Sequence, residues 1–113
     1  MKVLVVDDSP VDRRLAGRLI EKHGLDVCYA NDGDEALRVL GSERADIVVT
    51  DLLMPRMNGL ELVETTRKRH PSVPVILMTA HGSEDTAAAA LRRGAASYVP
   101  KRALARELVT TLI

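Results

Sequence analysis

The sequence predicts an α/β domain built on a doubly wound, five-stranded parallel sheet with five helices. Short apolar runs alternate with helical patterns five times along the chain, and this alternation is typical of βαβ units. The connections are short and parallel crossovers are nearly always right-handed, so the topology is restricted to doubly wound arrangements. With 113 residues, the chain is long enough for one ordinary domain but not for two.

The apolar runs define five predicted strands, which are Lys2–Val6, Asp26–Ala30, Asp46–Thr50, Val75–Met78 and Ala96–Val99. The third run is apolar at nearly every residue, as expected for a central strand that is covered on both faces. The sequence contains no Phe and no Trp, so aliphatic side chains must supply the core.

Capping residues predict where the helices begin and end. Ser9 caps the first helix, with Pro10 at its first position and Asp12 placed as in a capping box. The apolar stripe of this helix is expected to be buried and comprises Leu15, Leu19 and Ile20. The other helices are predicted to begin near Asn31 or Asp32, Asn58, Ser83 and Ala103, and the first four helices to end at Gly24, Gly41, His70–Pro71 and Gly94.

Composition excludes several classes of partner. Lys plus Arg and Asp plus Glu number 16 each, so no net charge favours nucleic acid or an acidic membrane surface. The apolar stretches are strand-sized, far below the ~20 residues of a membrane span. Met1 leads directly into a strand without the features of a signal peptide, and a lone Cys28 fits a reducing compartment. We therefore expect a cytoplasmic domain that binds neither nucleic acid nor membrane.

Reactive side chains follow four of the predicted strands. Asp7 and Asp8 follow the first strand, Asp51 the third, Thr79 the fourth and Lys101 the fifth. Parallel strands bring their carboxyl ends to one edge of the sheet, where open α/β folds place their binding sites. Three carboxylates, a hydroxyl and an ammonium group are therefore expected to converge, and this combination indicates a metal-assisted phosphate site.

The three carboxylates require a cation or protons. At ~4 Å and an effective dielectric constant of about 20, two unit negative charges repel by roughly 4 kcal/mol. Ligation by oxygen alone suits Mg²⁺, which keeps several waters and bridges to phosphate. Taken alone, Asp7 and Asp8 are better explained as helix-capping carboxylates. Asp51 and Lys101 at matching strand ends reverse this preference and favour the metal site.

Asp51 is the candidate nucleophile, because carboxylates form aspartyl phosphates and a metal can neutralise the incoming phosphoryl oxygens. Two residues later stands Leu53, which cannot protonate a leaving group as a second carboxylate would. This position argues against a phosphohydrolase and favours a site that accepts and holds a phosphoryl group. On their own, Thr79 is compatible with an ordinary strand residue and Lys101 with a solvated surface charge.

Four motifs give the chain a resemblance to the receiver domain of two-component response regulators. They are Val3–Ser9 (VLVVDDS), Val49–Gly59 (VTDLLMPRMNG), Met78–Ala80 (MTA) and Gly94–Lys101 (GAASYVPK). The resemblance covers essentially the whole chain. It implies a flavodoxin-like fold with strand order 2-1-3-4-5, with residues 1–113 forming one receiver domain that stands alone or is cut from a longer protein.

The resemblance also implies a chemistry. Asp51 would be the phosphoacceptor, taking its phosphoryl group from a sensor histidine kinase or a phosphotransfer protein. Mg²⁺ would be held by Asp7, Asp8, Asp51 and the backbone carbonyl of Leu53, with Asp7 acting directly or through water. Such a domain is not an enzyme beyond its own phosphorylation and a slow loss of the phosphoryl group.

For the output, the resemblance implies that Thr79, the amide of Ala80 and Lys101 bind the phosphoryl group. Thr79 and Tyr98 would form a switch pair. The face made by helix four, strand five and helix five would then act on an output domain or a downstream protein, and it also allows a homodimer.

One departure from the family concerns the residue after Lys101. The family usually has a proline there, in a cis peptide, whereas this chain has Arg102. Either a costly non-proline cis bond persists or the loop relaxes to trans. This departure leaves a second hypothesis open, in which the chain is a receiver-like docking scaffold that works without phosphorylation. A phosphohydrolase remains a third and less favoured hypothesis.

Overall fold

The computed structural model describes residues 1–80 and 84–112. The sheet consists of β1 (Lys2–Val6), β2 (Asp26–Ala30), β3 (Ile47–Asp51), β4 (Val75–Thr79) and β5 (Ser97–Pro100). The helices are α1 (Pro10–Glu21), α2 (Gly33–Ser42), α3 (Gly59–Arg69), α4 (Glu84–Arg92) and α5 (Leu104–Leu112), and a 3₁₀ turn, Lys101–Ala103, precedes α5. All strand pairs are parallel and their order is β2-β1-β3-β4-β5, which confirms the predicted fold.

Two aliphatic layers cover the two faces of the sheet, since successive residues of a strand point to opposite sides. On one face, α1 and α5 pack on the sheet through Val3, Val5, Ile20, Val49, Met78 and Leu108. On the other face, α2, α3 and α4 pack through Leu4, Val6, Leu40, Leu62, Leu77 and Ala90. Every residue of β3 and β4 is buried, as a central position requires.

The helix caps largely follow the predicted signals. Asn58 forms a capping box with Glu61 at the start of α3, and Asp32 caps α2 by accepting from the Glu35 N–H at 2.8 Å. Gly24 and Gly94 have positive φ angles of 83° and 117°, which glycine adopts without strain just beyond a helix. The predicted cap Ser83 lies outside the described residues.

Several predicted boundaries and one member of the predicted stripe of α1 were wrong. Strands β3, β4 and β5 end one residue later than predicted, and α2 runs past Gly41 to Ser42. Leu15 is 49% exposed rather than buried. The buried side of α1 consists of Ala16, Gly17 and Ile20, because Gly17 lies against the ring of Tyr29 and has no room for a Cβ. Leu19 is partly buried, as expected.

The register of the strands brings the predicted site residues close to one another. The residues before Asp7 and Asp51 are partners across β1 and β3, so these two carboxylates follow side by side. Thr79 pairs with Pro100, the residue before Lys101, across β4 and β5. Among the described residues, no helix is both long and apolar enough to cross a bilayer.

Gly59 fixes the connection between the end of β3 and α3. Its N–H donates to the Leu52 carbonyl at 2.7 Å, and a Cβ there would lie 2.8 Å from the Asp51 carbonyl oxygen and from the Leu52 Cα. Both are backbone atoms, which cannot yield as a flexible side chain can. We therefore expect Gly59→Ala to lower the free energy of unfolding by about 1–3 kcal/mol, as overpacking does, measured by urea denaturation.

The matched control is Gly41→Ala, because a Cβ at this helical position meets nothing within 4 Å. That variant should be as stable as the parent or more stable by up to about 1 kcal/mol. Equal stability of the two variants would contradict the steric account.

Candidate metal and phosphoryl site

Three carboxylates meet at the carboxyl edge of the sheet. Asp7, Asp8 and Asp51 each contribute an oxygen to a group whose members lie within 4.8 Å of one another. Asp7 is completely buried, Asp51 is 8% exposed and Asp8 is exposed. The cluster is therefore built into the sheet on one side and open to solvent at Asp8. An all-oxygen, all-carboxylate donor set of this size fits Mg²⁺.

Asp7 is held from several directions. Its Oδ1 accepts from the Ser9 N–H at 2.9 Å and its Oδ2 accepts from the Lys101 ammonium at 3.1 Å. Its backbone carbonyl accepts from the Arg13 guanidinium at 2.8 Å. Both carboxylate oxygens thus have protein donors, which fix the orientation of the side chain.

Lys101 reaches the site from the start of the 3₁₀ turn. Its Nζ lies 2.9 Å from Asp12 Oδ2, 3.1 Å from Asp7 Oδ2 and 3.5 Å from Asp51 Oδ1. The described residues contain no cis peptide bond, so the bond before Arg102 is trans. The ammonium group nevertheless stands beside the phosphoacceptor candidate, with several carboxylates around it.

Burial and charge shift the pKa values of two groups. Burial, together with the negative charge of Asp7, raises the pKa of Asp51 to about 6, although Lys101 opposes the shift. Burial alone would lower the pKa of Lys101, but its contacts with Asp12, Asp51 and Asp7 outweigh this and raise that pKa above its ordinary value. At neutral pH, Asp51 is therefore mainly an anion and Lys101 a cation.

Thr79 and Tyr98 lie on one face of the sheet. Tyr98 pairs with Leu77, two residues before Thr79, and side chains two residues apart share a face. Thr79 is 2% exposed, whereas Tyr98 is half-buried against the core layer that includes Ala90 of α4. The two residues expected to form a switch pair thus occupy neighbouring strands beneath α4.

The remaining predicted site residues, Leu53 and Ala80, are exposed. Leu53 is 62% exposed and Ala80 is exposed at the end of β4. The structure does not bring the Leu53 side chain into the buried part of the cluster, which is consistent with a role for its backbone alone.

Sequence reasoning missed the part that Asp12 plays. Its N–H donates to Ser9 Oγ at 3.3 Å, but the reciprocal half of the expected capping box is absent from the described contacts, since the Ser9 N–H donates to Asp7 instead. The Asp12 carboxylate binds Lys101. Its place in the first turn of the helix after β1 was the available signal, because helical side chains tilt toward the N-terminus and thus toward this sheet edge.

Comparisons with known proteins identify the family of the chain. The family model of the response regulator receiver domain matches residues 3–113. The chain is 41% identical over 99 residues to the transcriptional regulatory protein GlrR of Escherichia coli K12, covering 88% of this chain and 22% of GlrR. It is 37% identical over 112 residues to the response regulator MprA of Mycobacterium avium, covering 99% of this chain and 49% of MprA. The chain thus spans about half or less of the length of these relatives.

Solved structures show the same likeness. A response regulator receiver domain protein from Clostridium thermocellum superposes with a TM-score of 0.92 at 32% identity, covering 98% of this chain and 90% of that one. The chemotaxis protein CheY4 of Vibrio cholerae superposes with a TM-score of 0.89 at 31% identity, covering 98% of this chain and 94% of that one. The fold is that of a receiver domain. This chain belongs to the response regulator receiver domain family.

The raised pKa of Asp51 leads to a pH-dependent stability. The folded chain holds this proton more tightly than the unfolded one, so the contribution of Asp51 is fully present below pH ~4 and is lost as the pH rises through about 6. Since one pKa unit corresponds to about 1.4 kcal/mol, we expect Asp51→Asn to raise the free energy of unfolding by roughly 1–3 kcal/mol near pH 7.5 and by almost nothing near pH 4.

Urea denaturation in EDTA at both pH values measures this difference. The control is Asp34→Asn, which removes one exposed carboxylate from the first turn of α2 and should give a small change at either pH. A variant Asp51→Asn that is less stable than the parent at neutral pH would contradict the account that burial and the charge of Asp7 destabilise the Asp51 anion.

Proposed function

We propose that this domain is a phosphorylation-dependent switch in which Asp51 accepts a phosphoryl group from a histidine kinase or phosphotransfer protein, with Mg²⁺ bound. The observation that carries the proposal is the setting of Asp51, a largely buried carboxylate grouped with Asp7 and Asp8 and 3.5 Å from the Lys101 ammonium. Acceptance of a phosphoryl group needs an anionic nucleophile and positive charge around the phosphoryl oxygens. The domain would act as a signalling component and not as an enzyme on small molecules.

Mg²⁺ would be held by Asp8, Asp51 and the backbone carbonyl of Leu53, with Asp7 contributing through a water. Both Asp7 oxygens already accept protein hydrogen bonds, which supports the indirect role. When bound, the ion supplies charge neutralisation for the phosphoryl oxygens.

The chain's own groups would divide the work of transfer. A carboxylate oxygen of Asp51 forms a bond to phosphorus while the phosphorus–nitrogen bond of the donor phosphohistidine breaks, and the imidazole leaves and is protonated by solvent. Lys101, the Thr79 hydroxyl and the Ala80 amide would receive the transferred oxygens. The burial of Thr79 and Asp51 limits water at the acyl phosphate.

The signal would leave through the face made by α4, β5 and α5. A phosphoryl group adds about −1.5 to −2 charge and three acceptors, which draws on Thr79 and Lys101 and lets Tyr98 turn toward the space that Thr79 gives up. Moving an equilibrium from 1:99 to 99:1 takes about 5.5 kcal/mol, a demand that charge-assisted contacts to a buried phosphate can largely meet. The recipient would be an output domain, a downstream protein or a second copy.

Two alternatives lead to different outcomes. A small phosphohydrolase would need an acid near Asp51, where Leu53 stands. A docking scaffold would bind its partner equally well without modification.

We also propose a cytoplasmic location, because the free thiol of Cys28 is suited to a reducing compartment.

Incubation with acetyl phosphate, followed by peptide mass spectrometry, tests the proposal. We expect one phosphoryl group on Asp51 that requires Mg²⁺, is lost in Asp51→Asn and persists in Asp34→Asn. Labelling at another residue, or none with Mg²⁺, would contradict the proposal. Sustained turnover of small phosphoesters would favour the hydrolase instead.

Stabilisation by Mg²⁺ tests the metal assignment separately. An ion that binds only the folded chain raises its thermal midpoint according to concentration and affinity, so the parent and Asp34→Asn should melt several degrees higher in excess Mg²⁺. Asp8→Asn removes an exposed ligand and should lose most of that increase. The same increase in Asp8→Asn as in the parent would exclude Asp8 as a ligand.

A further inference from the structure

We propose that Asp12 is a positioning residue: it shares the Lys101 ammonium with the phosphoacceptor site, holds it before phosphorylation and releases it to the phosphoryl group. This inference rests on the proposed role of Asp51 and adds a regulatory element to it. Asp12 does not belong to the acidic cluster of Asp7, Asp8 and Asp51.

Of the three carboxylates around Lys101, Asp12 makes the shortest contact. The Nζ–oxygen separation is 2.9 Å to Asp12, 3.1 Å to Asp7 and 3.5 Å to Asp51. The first two are hydrogen bonds, whereas the contact with Asp51 is an ion pair at longer range. An ammonium group has three N–H donors. The two hydrogen bonds of Lys101 are made to the other two carboxylates, and its contact with Asp51 is the longest of the three.

The burial of each carboxylate decides which of these partners can lose its contact with Lys101. The Asp7 side chain is 0% exposed and that of Asp51 is 11% exposed, but that of Asp12 is 40% exposed. A buried carboxylate that loses its cation is left uncompensated, which is strongly unfavourable. Water can replace the ammonium at Asp12, since exposed ion pairs contribute little. Asp12 is therefore the partner that can be given up.

Phosphorylation creates the competitor. A phosphoryl group on Asp51 brings additional negative charge and three acceptor oxygens to the side where Lys101 has its longest contact. Moving the ammonium toward those oxygens lengthens the contact with Asp12. Because Asp12 lies in α1 and Lys101 at the start of the turn that leads into α5, the same movement breaks a side-chain contact between α1 and that turn.

A binding experiment with beryllofluoride, an anion that mimics a phosphoryl group on a carboxylate, tests the inference. Affinity is measured by calorimetry in excess Mg²⁺ for the parent, Asp12→Asn, Lys101→Met and the double variant. Asp12→Asn removes the competitor for Lys101, so we expect binding about threefold tighter, the order expected from an exposed ion pair. In the Lys101→Met background, the same substitution should give little or no gain.

The double variant separates positioning from simple charge removal, because losing one negative charge near an anion site would help equally in both backgrounds. Asp34→Asn controls for an acidic residue in the first turn of another helix, and Asp12→Glu, which keeps the carboxylate, should return the affinity toward that of the parent. If Lys101→Met binds too weakly to measure, crystal structures of the parent with and without beryllofluoride decide: the Lys101–Asp12 contact should be longer with the anion bound, and an unchanged contact would overturn the inference.

Unchanged or weaker binding by Asp12→Asn, or an equal gain in both backgrounds, would overturn the inference. If the parent is labelled on Asp51 but shows no such coupling, the inference about Asp12 fails alone. If the parent neither becomes labelled nor binds beryllofluoride, the proposed function fails and the inference fails with it.

Discussion

Repulsion among closely spaced carboxylates, two of them buried, is the constraint on which the rest of the site depends. Oxygens of Asp7, Asp8 and Asp51 lie within 4.8 Å of one another, where each pair of charges repels by roughly 3–4 kcal/mol at an effective dielectric constant of about 20. Lys101 offsets part of this repulsion, and burial together with the charge of Asp7 still raises the pKa of Asp51. A divalent cation and a phosphoryl group are the partners that such an arrangement favours.

The sheet is what holds these charges together. Parallel pairing of β1 with β3 and of β4 with β5 sets the edge residues side by side, and aliphatic layers on both faces keep that register rigid. Aliphatic burial stabilises the fold at roughly 25 cal/mol per Å², and this gain allows a destabilising acidic edge to persist. The clustered charges that suit the site for its chemistry thus also destabilise the fold. Groups with shifted pKa values are common at functional sites.

Much of this could be predicted from the sequence, because the fold and the main site follow local rules. Apolar runs located the strands to within a residue, and reactive side chains just after strand ends indicated which residues would meet. Leu15 was placed wrongly because helical periodicity alone cannot distinguish adjacent stripes; the fit of Gly17 against Tyr29 selects the buried one. Asp12 was missed because its place in the first turn of α1 was interpreted as a capping box, whereas its carboxylate contacts Lys101, 89 residues further along the chain.

The most direct test of the central claim is a crystal structure with Mg²⁺ and beryllofluoride. The account predicts a metal ion ligated by Asp8, Asp51 and the Leu53 carbonyl, and beryllium on an Asp51 oxygen with Lys101 Nζ and Thr79 Oγ1 within hydrogen-bonding distance of its fluorides. An ion bound elsewhere, or an acidic edge that stays empty at saturating concentrations of both, would contradict it.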